Sequence, residues 1–253
     1  MIMKAKILII NLLFICGISL FAQPDSLYFN ANKLYQEARY EEAIEVYESV
    51  LVAGYESSTL YYNLGNASFR SNKFGKARLY YEKALKLNPS DEDAKSNLNH
   101  LQKLLADSFE EVPVIFYKKW FKSLLISLSS NQWAYISMLS FLLCSLALIG
   151  YLLLRHRSIR KIGFYTSIIV FFISIFCAFA SWKQFTFIKT PEAAIVIDLS
   201  VNAKSAPRET GLGLFVLHEG AKVWLEDKAG GWWEIRLSDG RKAWVPESSI
   251  QTI

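Results

Sequence analysis

Residues that carry chemistry are scarce in this chain. It has three histidines, His100, His156 and His218, and three cysteines, Cys16, Cys144 and Cys177. All three cysteines lie inside apolar runs, so none can staple a soluble domain, and no CxxC pair exists. The histidines show no HExxH or other metal-ligand spacing, and neither a GxSxG nor a P-loop is present. The stretch GLGLF from Gly211 lacks the third glycine and the strand–helix setting of a dinucleotide site. Glu41 and Glu42 fall on a helix surface and read as a solvated face. The expectation is a non-enzymatic protein with no metal and no cofactor.

Charge is missing from two long stretches. Trp133–Leu154 and Ile162–Trp182 contain no Asp, Glu, Lys or Arg. The first is 22 residues, about 33 Å of helix, enough to cross a bilayer core. Trp133, Tyr135, Tyr165 and Trp182 sit near the ends, where amphipathic rings favour the interface. Buried helices of a soluble core are the alternative, and two such runs argue against it. A third apolar run, Ile7–Phe21, follows Lys4 and Lys6 and ends at Ala22, the layout of a secretory signal peptide over 1–22. An uncleaved anchor is the alternative; a lipoprotein reading at Cys16 is disfavoured by bulky Ile15.

The net charge of +5 sits beside the apolar runs. Residues 23–111 are acidic on balance and 183–253 are neutral. The excess lies at Lys4 and Lys6, at Lys118, Lys119 and Lys122, and in the knot Arg155, Arg157, Arg160 and Lys161. No basic face on a folded domain is implied, so nucleic-acid binding is not expected. The knot lies between the two candidate spans (131–154 and 162–182), and such a cluster favours the cytoplasmic side. A signal peptide gives the same orientation, with both soluble parts exported and a loop over 155–161 inside. In 112–130, Phe116, Tyr117, Trp120, Phe121, Leu124 and Leu125 share one helical face and the three lysines the other. This predicts a helix lying on the outer leaflet or packed on the preceding domain.

Residues 23–111 repeat. ARYEEAIEVYESVL from Ala38 matches NKFGKARLYYEKAL from Asn72, pairing Tyr40 with Phe74, Ala43 with Ala77, Tyr47 with Tyr81 and Leu51 with Leu85 at a period of 34. That period points to tetratricopeptide (TPR) helix hairpins. Tyr61, Leu64, Gly65, Ala77, Tyr81, Ala84 and Pro89 fall at the steps of that pattern. Gly65 and Ala77 are small where two helices approach, and Asn88-Pro89 stops the second helix. The first unit diverges, with Ala31 in place of Gly65 and Tyr55 in place of Pro89. A third begins near Asp93 and supplies one capping helix. Two repeats and a cap are few for a solenoid, which implies support from a partner, from the chain itself or from the membrane. TPR arrays commonly bind peptides on the face made by the first helices. Asn32, Asn66 and His100 stand there 34 apart, Asn63 and Asn97 form a second row, and Arg70 lies one turn beyond Asn66. Amides of this kind can bond a peptide backbone both ways; ordinary solvated or capping positions are the alternative.

From Ala193 the texture turns to short β-type runs. Gly230-Gly231 and Asp239-Gly240 predict hairpin turns. Val223/Leu225, Ile235/Leu237 and Ala243/Val245 alternate and predict one core. VNAKSAP, LFVLHEGAKV, GWWEIRLSDGRKAWV and ESSI resemble a bacterial SH3-like domain over 183–253, which implies a closed all-β barrel. Trp224 and Trp232 fall opposite the core set and, with Trp244, form an expected aromatic groove for peptides or wall polymers. Half-buried packing is the alternative for Trp232 and Trp244.

The fold class expected is therefore a multidomain membrane protein: an all-α TPR solenoid, two transmembrane helices and a C-terminal SH3-like barrel. This order resembles the BatE-like proteins of the Bacteroides aerotolerance operon. The resemblance implies a periplasmic scaffold on the bacterial inner membrane, beside membrane proteins with von Willebrand A domains and a MoxR-type ATPase. The partners so implied are those proteins and the lipid bilayer. The second reading is a wall-binding module whose barrel holds peptidoglycan peptide.

Overall fold

The computed structural model describes residues 25–107, 109, 116–153 and 156–253. The expected signal peptide lies outside the described residues. The described chain forms two compact units, one over Ser130–Trp182 and one that joins residues up to Ser129 with Lys183–Ile253.

In the larger unit, α1 (Asp25–Gln36) and α2 (Tyr40–Val52) form one helix hairpin. α3 (Ser58–Arg70) and α4 (Phe74–Leu87) form the second, and α5 (Glu92–Gln102) caps the stack. The 34-residue period reaches the backbone. Ala38 and Asn72 turn each hairpin with φ of 59° and 58°. Arg39 N–H bonds Leu34 O and Lys73 N–H bonds Ser68 O, the same left-handed closure of a helix C-terminus. Ser57 caps α3 by accepting from Leu60 N–H at 3.1 Å, and Asp91 caps α5 by accepting from Ala94 N–H at 3.0 Å. Gly65 is required: a Cβ there would lie 2.6 Å from the Tyr81 ring.

The same unit holds seven antiparallel strands: β1 (Ala193–Val196), β2 (Ser200–Lys204), β3 (Gly213–His218), β4 (Lys222–Ala229), β5 (Trp232–Arg236), β6 (Lys242–Pro246) and β7 (Ile250–Thr252). Their order is β3-β2-β6-β5-β4-β1-β7. Gly230 and Gly231 turn β4 into β5 with φ of 55° and 80°. Val223, Ile235, Leu237, Ala243 and Val245 are buried together, with Leu225 packed against them. The sheet is not closed into a barrel, which corrects the expectation. β3 and β7 are its free ends, and β2 meets β6 only at Lys204–Trp244. The cover that closure would bring to the β1–β7 end comes from the helices: Ile195 is buried in the helical core, and Ile197 and Ile253 pack against it.

That cover is a built seam on α4. Gly75 N–H donates to the Glu219 carboxylate at 2.7 Å, so a residue of the β3–β4 turn caps α4, whose own Lys73 makes no side-chain cap. Arg78 donates to Gly220 O at 2.7 Å, and Glu82 pairs with Lys222 at 2.7 Å. A Cβ on Gly75 would meet the Val196 carbonyl at 2.9 Å, and one on Gly220 would meet Leu105 at 2.6 Å. From α5 onward, Asp107 accepts from His218 N–H at 2.6 Å. The short solenoid is thus supported by the chain itself.

In the smaller unit, α7 (Ser130–Leu153) and α8 (Arg157–Lys189) lie side by side as far as Trp182. Ser130 and Ser181 each donate to the other's backbone carbonyl, and Ser137 and Ser174 do the same. Cys144 donates to Ser167 O at 3.2 Å. The three contacts are seven residues apart on each helix, a seam of small residues that lets the backbones approach. Outward, Leu139, Leu143, Leu146, Ile169 and Phe172 are exposed, the reverse of a soluble core helix. Both helices are long and apolar enough to cross a membrane. Arg157, Arg160 and Lys161, expected in a loop, form the first turn of α8. These residues are good helix formers with no Gly or Pro before Gly163 to end the turn. α8 also runs past Trp182 to Lys189, inside the larger unit. Back in the larger unit, α6 (Phe116–Leu125) is a helix with Phe116, Tyr117, Trp120 and Phe121 exposed.

Candidate functional site

The first helices of each repeat, α1 and α3, and the cap α5 line one open face. Tyr47 Oη donates to Asn32 Oδ1 at 2.6 Å, and Tyr81 Oη donates to Asn66 Oδ1 at 2.8 Å. Asn63 Nδ2 donates to Asn32 Oδ1 at 3.2 Å and to Tyr28 Oη at 2.9 Å. One repeat later, Asn97 Nδ2 donates to Asn66 Oδ1 at 2.9 Å and to Tyr62 Oη at 3.3 Å. The quartet Tyr28, Asn32, Tyr47, Asn63 recurs as Tyr62, Asn66, Tyr81, Asn97. Each quartet ties three successive helices. Burial pushes the Tyr47 and Tyr81 phenols far above their usual range, so both stay donors at neutral pH.

Two adjoining cavities follow this ladder. One, of 140 Å³, is lined by Asn32, Tyr35, Gln36, Tyr47, Asn63 and Asn66. The next, of 340 Å³, is lined by Tyr35 and Asn66 again, with Tyr62, Phe69, Arg70, Tyr81, Asn97 and His100. The structure therefore brings Asn32, Asn63, Asn66, Arg70, Asn97 and His100 onto one groove. Their roles there differ. The amide oxygens of Asn32 and Asn66 and the amide nitrogens of Asn63 and Asn97 are engaged within the fold. Arg70 and His100 are exposed, and among the described residues Arg70 has no carboxylate partner. The lining carries no Asp or Glu. The groove offers aromatic walls, amide edges and a free guanidinium, a surface suited to an extended chain bearing a carboxylate.

The three tryptophans share a sheet face. The register pairs Trp224 with Arg236, Trp244 with Glu234 and Trp232 with Pro246, which puts all of them opposite the buried set. Cationic side chains lie over two of them. Arg236 lies over Trp224 at 5.7 Å and Lys204 over Trp232 at 5.2 Å. Trp232 is only 8% exposed. Trp224 turns toward the helices, lining a cleft with Arg78, Glu82, Gln102 and Lys222.

Sequence reasoning missed the seam and the internal use of the amides. A signal for the seam was present. Glu41 of the first repeat is replaced at the equivalent step by Gly75, Ile44 by Arg78 and Val52 by Lys86, so α4 carries a polar stripe with a small residue at its head. Among known families, the tetratricopeptide repeat model matches residues 58–91, which span α3, α4 and the capping Asp91. No curated protein matches the chain.

Proposed function

We propose that the protein is a non-enzymatic membrane scaffold whose TPR groove holds an extended segment of a partner protein. The observation that carries this reading is the asymmetry of the helical stack. The second-helix side is sealed at α4 by the sheet, while the first-helix groove stays open with an unpaired Arg70. α7 and α8 cross the bacterial inner membrane, and α6 lies on the outer leaflet through Phe116, Tyr117, Trp120 and Phe121. Both soluble parts work in the periplasm. The order of modules and its likeness to BatE-like proteins support partners among von Willebrand A-type membrane proteins and a role in tolerance of oxygen or envelope stress.

The test is a cross-linked pull-down of the full-length protein from native membranes, read by mass spectrometry. Membrane proteins should be recovered, and Arg70→Glu should cut their yield about tenfold, the size of a lost charge-assisted contact. Equal recovery by wild type and Arg70→Glu would remove the groove from the account. Recovery of muropeptides in place of proteins would favour wall binding.

A further inference from the structure

On the other side of the larger unit, where α4 meets β7 and the end of α8, lies a cavity of 230 Å³. Three ammonium groups line it: Lys83, Lys86 and Lys189. Its one acidic side chain is Glu56. Among the described residues no Asp or Glu pairs with any of the three lysines. Each lies against an aromatic ring instead. Lys83 Nζ is 5.7 Å from the Tyr61 centroid, Lys86 Nζ 5.4 Å from Phe187 and Lys189 Nζ 5.4 Å from Phe185. Lys86 also donates to the main-chain oxygen of Ile253 at 2.8 Å, which fixes its head at the rim. Glu192 is near enough to act on Lys86 through space but does not pair with it.

Clustered cations that no side-chain carboxylate pairs with are costly to hold, and burial pushes both Lys83 and Lys86 below the ordinary lysine range, with Glu56 and Glu192 offsetting it only in part. An anion in the cavity would reverse that cost. The size suits a compact polyoxygen anion with its waters, since each water occupies about 30 Å³. The position suits one source of such anions. Lys189 follows Trp182, the last residue of the uncharged run, by seven positions, about 10 Å of helix axis. Basic pockets at that distance from a span meet lipid headgroups.

We infer that Lys83, Lys86 and Lys189 form a binding site for a phosphate group, supplied by an anionic phospholipid headgroup or by free phosphate. The lipid source rests on the membrane reading of α8; the phosphate chemistry does not.

The experiment uses full-length protein in nanodiscs of equal phosphatidylglycerol and phosphatidylcholine, released for native mass spectrometry. A parallel titration uses inorganic phosphate. Retention of phosphatidylglycerol over phosphatidylcholine is expected, falling about fivefold for each lysine removed in Lys83→Gln/Lys86→Gln. Lys83→Arg/Lys86→Arg should keep it. Phosphate binding without lipid preference, lost in the glutamine variant, would support the site with a soluble source. The exposed Lys189→Gln decides the matter if the double variant does not fold, with a loss of about fivefold expected. No phosphatidylglycerol preference and no phosphate binding would overturn the inference. So would glutamine variants that retain either ligand as wild type does.

Discussion

At Asn66 one amide oxygen accepts from Tyr81 and from Asn97, and so ties α3 to both α4 and α5. Removing that oxygen leaves a deeply placed phenol without its partner. Asn66→Ala should lower the unfolding free energy by about 1–3 kcal/mol, read by urea denaturation, and Tyr81→Phe should lower it by less. Arg70 sits one turn away with no such role, so Arg70→Glu should unfold at the wild-type midpoint. Stability loss at Arg70, or none at Asn66, would invert the assignment of ladder and contact. The spacing of 34 made both residues legible in the sequence. What spacing could not show was where each half of an amide points, because that depends on a tyrosine 15 residues and an asparagine 31 residues further along the chain.

At the scale of the element, α4 is read by two opposing rules. Glycine inside a helix costs up to about 1 kcal/mol against alanine, so Gly75→Ala would stabilise a solitary repeat. In the folded chain the added Cβ meets the Val196 carbonyl at 2.9 Å and the Glu219 side chain at 2.8 Å. Backbone cannot step aside, and Gly75→Ala should destabilise by about 1–3 kcal/mol, with faster amide exchange in β1 and the β3–β4 turn. Stabilisation would mean that the seam does not form. α4 also contacts α2 through Glu48, which accepts from Lys76 at 2.9 Å and Tyr80 at 2.7 Å. Burial alone would raise this carboxyl, but Lys76 and Tyr80 hold it below the ordinary value of 4.5. Its stabilising effect is present above that value and is lost as pH falls through the lowered one. Wild type should therefore melt above Glu48→Gln at pH 6, and its lead should shrink as the pH falls below 4.5; a constant gap would refute the coupling. Hydrophobic period and turn residues sufficed to read these helices and the β4–β5 hairpin. They did not tell an open sheet from a barrel. That outcome turns on Ile195, Ile197 and Ile253, whose apolar surface reads the same whether strands or helices cover it.

Over the whole molecule, orientation decides what the groove can meet. Two spans joined by a short basic turn return the chain to the side it left, so the helical repeat and the sheet must share a compartment if both α7 and α8 cross. Their joint packing demands the same thing independently: Gly75 bonds Glu219 across 144 residues of chain, and that contact cannot form with a membrane between its partners. On the proposed orientation, the cations Arg157, Arg160 and Lys161 at the head of α8 face the cytoplasm. Single cysteines test this without disturbing either unit. With Cys144 and Cys177 within the apolar helices, Glu92→Cys on exposed α5 should react with a membrane-impermeant maleimide in cells whose outer membrane has been opened. Ser158→Cys, beside the basic turn, should react only after lysis. Labelling of Ser158→Cys alone would place the groove in the cytoplasm and redirect the search for its partner there. Labelling of both before lysis would mean that α7 and α8 do not cross, and that their exposed apolar faces are covered by protein instead of lipid.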